Sequence, residues 1–264
     1  MTSFALFLAL LSTAPTTGAP PILRRVGYDQ RLGARVPLDL EFRDEAGRPV
    51  TLGQYFGKRP VVLALAYYEC PSLCTLVLNG MLRAFRMLSF NVGAEYEVIV
   101  VSIDPHETPA LAAQKKQTYL EKYGREGAGR GWHFLTGEEP SIAELAGAVG
   151  FRYAYDAASG QYAHPAGLVV LTPAGQVARY QFGVEFSPRD LRLSLIEAAD
   201  EKIGTPVDGL LLYCFAYDPA AAKYTPVVMN LVRAGGVITV LLLGGLIAVL
   251  LRRDRLARAQ LRVR

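Results

Sequence analysis

Two runs of apolar residues, each long enough for one buried strand, constrain the fold of this chain more than any other feature. Residues 61–67 (VVLALAY) and 97–103 (EVIVVSI) are almost continuously apolar, which is typical of strands covered on both faces. Between them, residues 71–88 carry apolar side chains at intervals of three or four, as an amphipathic helix does. A strand, a helix and a second strand in this order indicate an α/β protein built on a central sheet.

The remaining segments extend this pattern on both sides. They predict a hairpin (37–42 and 50–52), a helix from Thr108 to about 123, a strand (132–136), a helix (141–149), a second hairpin (168–171 and 177–182) and a final helix (187–202). We therefore expect an α/β fold, a mixed sheet flanked by helices on both faces. Thioredoxin-like folds share this order, with reactive cysteines in the turn between a buried strand and the next helix.

Both ends of the chain carry segments that are predicted to lie outside the globular domain. Residues 1–19 combine an apolar run with small residues up to Ala19, which is typical of a cleaved secretory signal peptide; a short uncleaved membrane-associated stretch is the alternative. Residues 234–251 are 18 uncharged, mostly apolar residues, enough to cross a bilayer as one helix. Between these segments we expect a linker (20–36), a globular domain (37–204) and a juxtamembrane connector (205–233).

Positive charge is concentrated at the C-terminus. The net charge of the chain is +4, but residues 252–264 alone contribute +5 through six arginines and one aspartate. The rest is close to neutral, so no partner surface for nucleic acid is predicted. An arginine-rich segment beside a membrane helix stays in the cytoplasm. We therefore expect a single-pass protein of the cell membrane, with its domain on the extracytoplasmic (periplasmic) side and a basic cytoplasmic tail.

Three cysteines are too few to staple a domain of this length with disulfides. Cys70 and Cys74 lie where strand 61–67 gives way to the helix, so Cys70 is expected to favour the thiolate near the positive helix end. Cys74 follows one turn later on the same face. The spacing leaves three interpretations open: a metal site, a redox pair, or two inert buried cysteines. Two thiolates with one imidazole suit Cu(I). A structural zinc site needs four ligands, and the chain has no second cysteine pair to complete one.

The other candidate side chains are ambiguous from the sequence alone. His133 lies inside a predicted strand and is interpreted as structural or exposed. His106 follows a strand end near which the site would open, and is a candidate to support a ligand without binding the metal itself. His164 lies in a long hairpin, where a lone histidine is more often structural than a ligand. Cys214 is interpreted as a buried structural thiol among aromatic residues.

Three motifs occur in order along the predicted domain. They are Cys70-Pro71-x-x-Cys74, then Val101-Ser102-Ile103-Asp104-Pro105 followed by Thr108, and finally Gly160-Gln161-Tyr162-Ala163-His164 leading to Leu171-x-Pro173-x-Gly175 and Tyr180-x-x-Gly183. Over about residues 37–204 the chain thereby resembles the SCO/SenC family of copper-delivery proteins.

This resemblance implies a thioredoxin-like domain in which Cys70, Cys74 and His164 bind copper, as Cu(I) and also as Cu(II), with Asp104 as a nearby support. It implies a protein that acts as a metal donor, as a thiol reductant, or as both, and we expect a copper chaperone, a transfer protein rather than an enzyme. The chaperone would deliver copper to the copper A centre of cytochrome c oxidase subunit II, or prepare that centre. The implied partners are that subunit or its assembly factors.

Several positions depart from the family pattern. Thr75 replaces the usual proline after the second cysteine, Ala163 replaces an aspartate before the histidine, and the loop at 106–109 is one residue shorter. Family members are often anchored by an N-terminal helix, whereas this chain has its apolar segment at the C-terminus. No ligand is lost.

A thiol–disulfide oxidoreductase remains the alternative, with Cys70 and Cys74 catalytic and His164 dispensable. A peroxiredoxin is disfavoured, because Tyr67 stands where that class has threonine.

Overall fold

The computed structural model describes residues 21–70, 73–203, 217–218, 223–224, 233, 235–237 and 239–245. The chain divides into two compact units, Met1–Gly204 and Thr205–Arg264. The candidate site residues that the structure describes all belong to the first unit.

The described part of the first unit alternates strands and helices. The strands are β1 (Gly27–Tyr28), β2 (Glu41–Arg43), β3 (Pro49–Thr51), β4 (Val61–Ala66), β5 (Glu97–Ser102), β6 (Trp132–Leu135), β7 (Phe151–Arg152), β8 (Ala154–Asp156), β9 (Gln161–Ala163), β10 (Gly167–Leu171) and β11 (Val177–Phe182). The α-helices are α1 (Leu73–Met87), α2 (Pro109–Tyr123), α3 (Glu139–Ala148) and α4 (Pro188–Ala199).

A five-stranded sheet in the order β11-β10-β4-β5-β6 forms the centre of this unit. Strands β4, β5 and β6 are parallel, and β10 runs antiparallel to both β4 and β11. The carboxyl ends of β4 and β5 therefore meet at one edge of the sheet, and the start of β10 lies at the same edge. Loops that leave this edge come close together, although they are far apart in sequence.

Residues of β4 alternate between two cores, as the pleat of a strand requires. Val62 and Ala64 pack in one cluster with residues of α1, α2 and α4. Leu63 and Leu65 pack in a second cluster with residues of α3 and of the N-terminal segment. Because both faces are covered, β4 and β5 are buried at every position, which accounts for their continuous apolar sequences.

The structure confirms the predicted mixed sheet with helices on both faces. Several boundaries move: α3 begins at Glu139 rather than 141, since Pro140 is accommodated in its first turn, and α4 ends at Ala199 rather than 202. The segment ahead of His164 forms a small hairpin of its own, β8 with β9, outside the main sheet.

The second unit is described at few positions. A short antiparallel pair joins β12 (Tyr217–Asp218) to β13 (Lys223–Tyr224), and residues 235–237 and 239–245 are helical. In the parts that the structure describes, no helix is both long and apolar enough to span a membrane. The predicted signal peptide, most of the connector with Cys214, several residues of the predicted span and the basic tail lie outside the described residues.

Candidate metal centre

Cys70 ends the turn that follows β4, and Cys74 lies in the first turn of α1. The backbone N–H of Cys74 donates to Cys70 Sγ at 3.3 Å. The first N–H groups of a helix have no partner inside it, so the sulfur of Cys70 satisfies one of them. The Thr75 hydroxyl also donates to the Cys70 carbonyl, at 3.3 Å. The start of α1 therefore holds both sulfurs on the side that faces the second core cluster.

His164 reaches the cysteines from the loop between β9 and β10. Its Nε2 lies 2.7 Å from Cys74 Sγ, and its Nδ1 lies 3.0 Å from the carbonyl oxygen of Pro165. A carbonyl only accepts, so Nδ1 carries a proton that it donates to Pro165, and Nε2 is the ring nitrogen that faces Cys74. A backbone carbonyl thus orients the imidazole, so the ring has an orienting partner although Ala163 stands where the resemblance predicts an aspartate.

Burial controls the protonation of Cys74. Its side chain is buried, and this desolvation raises the pKa of the thiol far above its usual value. A hydrogen bond from the Tyr67 backbone N–H opposes the shift only in part. At neutral pH the thiol of Cys74 is therefore protonated and donates to His164 Nε2. A metal ion held by Cys74 and His164 would have to displace that proton.

The three side chains form one compact group of ligand atoms. Sγ of Cys70, Sγ of Cys74 and a ring nitrogen of His164 all lie within 4.8 Å of one another, and all three residues are buried. Within the described part of the chain, no other group of three such side chains is suited to hold a metal ion. Two soft sulfurs with one imidazole form a donor set for a soft, low-coordinate ion.

Aromatic rings surround the group and keep water away from it. The centroids of the Tyr67 and Phe151 rings lie 6.0 and 6.1 Å from that of His164, and Tyr162 packs on Tyr67 at 5.8 Å. Burial, together with a hydrogen bond to Cys70, raises the pKa of Tyr67 above its usual range, so the phenol stays neutral. An apolar shell of this kind lowers the local dielectric and strengthens metal–thiolate bonding.

Asp104, predicted as a support of the site, lies just beyond the end of β5. Its Oδ1 accepts from the backbone N–H of His106 and contacts His106 Nδ1, each at 2.9 Å. Among the residues that the structure describes, we find no hydrogen bond between the Asp104 carboxylate and Cys70, Cys74 or His164. Its link to the site is indirect and runs through Tyr162, which packs on Tyr67. Burial is the main reason that the pKa of Tyr162 is raised, and the negative charge of Asp104 is the second.

Glu107 was not singled out from the sequence, yet it contacts the turn that carries Cys70. Its Oε2 accepts from the backbone N–H of Tyr68 at 2.8 Å, and its Oε1 accepts from that of Glu69 at 2.7 Å. Ser102 donates a further, short hydrogen bond to Oε2. Burial raises the pKa of Glu107 despite these bonds. An acidic residue after β5, the strand paired with β4, was the available signal.

The other two histidines lie away from the ligand group. His133 in β6 bonds to Glu97 Oε2 at 3.1 Å, and its ring packs on Tyr55 at a centroid distance of 4.2 Å. This arrangement confirms its interpretation as structural. His106 is 87% exposed and bonds only to Asp104 among the described residues. Neither of them joins Cys70 and Cys74, so only His164 completes the cluster.

The chain is similar to one known protein family and to several solved structures. The profile of the SCO1/SenC family matches residues 29–196. A candidate electron transfer protein from Aquifex aeolicus VF5 is 26% identical, with a TM-score of 0.56 over 64% of this chain and 95% of that one. No curated protein matches.

Two further solved structures share the fold at lower identity. Copper-bound ScoI of Arabidopsis thaliana is 15% identical, with a TM-score of 0.50 over 65% of this chain and 99% of that one. BsSco, described as a member of the Sco family of cytochrome c oxidase assembly proteins with a disulfide switch, is 19% identical, with a TM-score of 0.52 over 66% and 98%.

Proposed function

Because the chain belongs to the SCO1/SenC family, we propose that it binds copper(I) through Cys70, Cys74 and His164 and passes it on during assembly of cytochrome c oxidase. The observation that carries the proposal is the compact group of three ligand atoms, two sulfurs and one imidazole nitrogen within 4.8 Å. The recipient that we propose is the copper A centre of subunit II, reached directly or through its assembly factors.

The donor set fits copper(I) better than other common metal ions. Thiolates and an imidazole are soft or borderline ligands, and three of them suffice for an ion of low coordination number. Structural zinc sites use four ligands, and the described residues offer no fourth one. Copper bound in the solved Arabidopsis thaliana relative supports the same assignment.

The protein's own groups set the conditions for loading and release. A bound ion takes the place of the proton between Cys74 and His164, which are 2.7 Å apart, so these atoms must separate slightly as the proton leaves. Nδ1 remains on the Pro165 carbonyl and keeps Nε2 directed at the ion. Copper is the cargo that the protein would transfer. An ion held by only three ligands would keep a free coordination position. A thiolate of a partner protein could therefore bind the ion before Cys70 or Cys74 dissociates from it.

A thiol–disulfide oxidoreductase is a second candidate function. Its support is the proximity of the two sulfurs at the start of α1 and the disulfide switch described for BsSco. In this reaction the two thiols lose two protons and two electrons and form one disulfide, while a partner disulfide gains them and becomes two thiols. The reaction requires Cys70 and Cys74, but it does not require His164.

Titration of the reduced full-length protein with Cu(I) against a competing chelator tests the main proposal. We expect one tight site, lost or weakened at least about 100-fold in Cys70→Ser, Cys74→Ser and His164→Ala. His106→Ala is the matched control, because His106 is 87% exposed and lies outside the cluster. Equal binding by all four variants and the wild type contradicts the proposal. Disulfide reduction that survives His164→Ala and needs no copper favours the second candidate instead.

We further propose that residues 234–251 anchor the domain to the membrane from its extracytoplasmic side. Among the helical residues described there, apolar side chains from Val237 to Leu243 are more than half exposed. Exposed apolar side chains in such a run favour lipid over water. Arg252 and Arg253 begin the basic tail that marks the cytoplasmic end.

Membrane fractionation tests the anchor. The full chain is expected to stay in the membrane pellet after alkaline carbonate washing, whereas a chain that ends at residue 233 is released. A chain that lacks only residues 252–264 is the control and should remain in the pellet. Retention of the chain that ends at residue 233 would show that another segment holds the protein at the membrane.

A further inference from the structure

The two amides of the turn that leads from β4 to Cys70 donate to one carboxylate, that of Glu107 in the loop after the neighbouring strand β5. We propose that Glu107 is a positioning residue, which fixes this turn so that Cys70 faces Cys74 and His164. The inference rests on the proposed copper-binding function for its purpose, but the hydrogen bonds that define it do not depend on copper.

Both oxygens of Glu107 are used, one for each of two consecutive amides. Oε2 accepts from Tyr68 N at 2.8 Å, and Oε1 accepts from Glu69 N at 2.7 Å. Cys70 is the next residue, so these two contacts constrain the position of its backbone, together with the hydrogen bonds that Cys70 itself makes to Tyr67 and Thr75. The sequence separations are 39 and 38 residues, and the clamp is therefore a purely tertiary contact between two loops.

The Glu107 carboxylate is itself held in place by a hydrogen bond from Ser102. Ser102, fully buried at the end of β5, donates to Oε2. The Ser102 hydroxyl also accepts from the backbone N–H of Asp104 at 3.1 Å, so this hydroxyl sets the course of the chain after β5. The pairing of Ala66 with Ser102 in the parallel ladder places this support at the same level as the end of β4. Glu107 is thus held by the sheet edge and does not merely follow the turn that it contacts.

The turn is anchored on its other side by the Tyr68 ring. The Tyr68 hydroxyl lies 2.7 Å from the backbone carbonyl oxygen of Leu135 and 3.0 Å from that of Val100, its one proton is shared between these two acceptors, and the ring is buried. The ring fixes the start of the turn in the core, while Glu107 fixes the amides that lead to Cys70. Without the carboxylate, only the remaining contacts of the turn oppose a rotation of the peptide before Cys70.

Glutamate suits this role better than its closest replacements. Glutamine has one acceptor oxygen, and its NH₂ group would face an amide N–H, so it satisfies only one of the two amides. Aspartate keeps both oxygens but is one methylene shorter, so it cannot reach both amides unless the loop moves. Outer contacts of this kind typically change metal affinity about 10–100-fold when they are lost.

Two measurements on the full-length protein test the role of Glu107. The first is hydrogen–deuterium exchange of the segment 67–70, followed by mass spectrometry in the absence of copper. Glu107→Gln is expected to exchange at least about tenfold faster in this segment, with unchanged exchange in β5. The second is the Cu(I) affinity, which is expected to fall about 10–100-fold. Glu107→Asp should give intermediate values in both measurements.

Glu138→Gln is the matched control. Glu138 lines the same surface cavity as Glu107, is exposed, and makes no side-chain capping bond to α3. Glu138→Gln therefore removes the same charge but leaves the hydrogen bonds from the Tyr68 and Glu69 amides to Glu107 intact. Exchange of segment 67–70 and Cu(I) affinity within twofold of the wild type in Glu107→Gln overturn the inference, as does an equal effect of Glu138→Gln. If the wild type itself binds no copper, the proposed function fails, and the exchange measurement still decides the role of Glu107.

Discussion

Cys74 Sγ and His164 Nε2 lie 2.7 Å apart, although 90 residues separate the two positions in the chain. The contact exists because β10 runs antiparallel to β4, which brings the loop before β10 to the sheet edge at which β4 ends. A sulfur and an imidazole nitrogen meet there in a buried, aromatic environment. The candidate ligand group is consequently a property of the sheet topology, and rings and turns around it hold it in place.

The aromatic shell predicts a difference between two substitutions of Tyr67. Tyr67→Ala removes the ring that packs on His164 and admits water, so we expect the Cu(I) affinity to fall about 10–100-fold. Tyr67→Phe keeps the ring and loses only the hydroxyl bonded to Cys70, and its affinity should fall less than tenfold. Competition titration measures both variants. Tyr155→Ala, at an exposed ring of the β8–β9 hairpin, is the control, and equal losses at all three would contradict the role of the shell.

Two helical glycines are expected to respond oppositely to alanine. A Cβ at Gly80 in α1 would lie 1.9 Å from the Val184 carbonyl oxygen, so Gly80→Ala forces the helix away from that loop. We expect the free energy of unfolding to fall by about 1–3 kcal/mol. At Gly147 in α3 a Cβ meets nothing within 4 Å, and Gly147→Ala should raise stability by up to about 1 kcal/mol. Urea unfolding measures both, and a neutral Gly80→Ala would show that α1 is not closely packed on that loop.

Glu97 makes stability depend on pH. Burial raises its pKa, but hydrogen bonds and charge from His133 and Arg59 outweigh burial and lower the pKa below its usual value. A carboxyl whose pKa is lowered on folding stabilises the fold above its unfolded-state pKa of about 4.3 and loses this contribution as the pH falls through the folded-state pKa. Glu97→Gln should therefore cost about 1.5–3 kcal/mol at pH 7.

The measurement for Glu97 is urea unfolding at several pH values. The difference between Glu97→Gln and the wild type is expected to shrink as the pH falls below about 4, because the carboxyl of the unfolded chain takes up a proton there while the lowered pKa keeps the folded carboxyl ionised. Glu144→Gln, at an exposed position of α3, is the control and should change stability by less than about 0.5 kcal/mol at every pH. A pH-independent difference would assign the effect of Glu97→Gln to packing instead of charge.

Arg125 is expected to stabilise the end of α1. Its guanidinium donates to the carbonyls of Arg86, Leu88 and Phe90 at 2.7–2.8 Å, where the helix has no further N–H groups to offer. Arg125→Ala should lower the free energy of unfolding by about 1–2 kcal/mol, and Arg125→Lys should recover only part, since an ammonium lacks the planar fork. Thermal or urea unfolding measures this, with Arg130→Ala, an exposed arginine, as the control. Equal effects at both positions would contradict the capping role.

Much of the fold could be predicted from local pattern. Strands β4 and β5 are buried on both faces, so their sequences are almost continuously apolar, and the cap at Thr108 with Pro109 marks the start of α2. The boundary of α3 was misplaced, because Glu139 and Pro140 carry no apolar period although they occupy the first turn. Local periodicity identifies an element more reliably than it locates its ends.

The cysteine pair and the remaining site residues differ in what a sequence reveals about them. Cys70 and Cys74 stand four positions apart at a strand–helix turn, and this spacing alone predicted a metal site or a redox pair, with two inert buried cysteines as the third interpretation. His164 was assigned through its resemblance to a family motif, and Glu107 was not identified at all. Both lie far away in sequence from the turn that they contact.

The sequence by itself therefore determined the local elements, the location of the cysteine pair and the presence of an apolar segment near the C-terminus, because each depends on neighbouring residues. Only the tertiary structure decided which histidine meets the sulfurs, which nitrogen it presents and which carboxylate holds the turn. These contacts arise where β4, β5 and β10 meet at one sheet edge. The pairing of strands distant in sequence determines them, and no local pattern encodes that pairing.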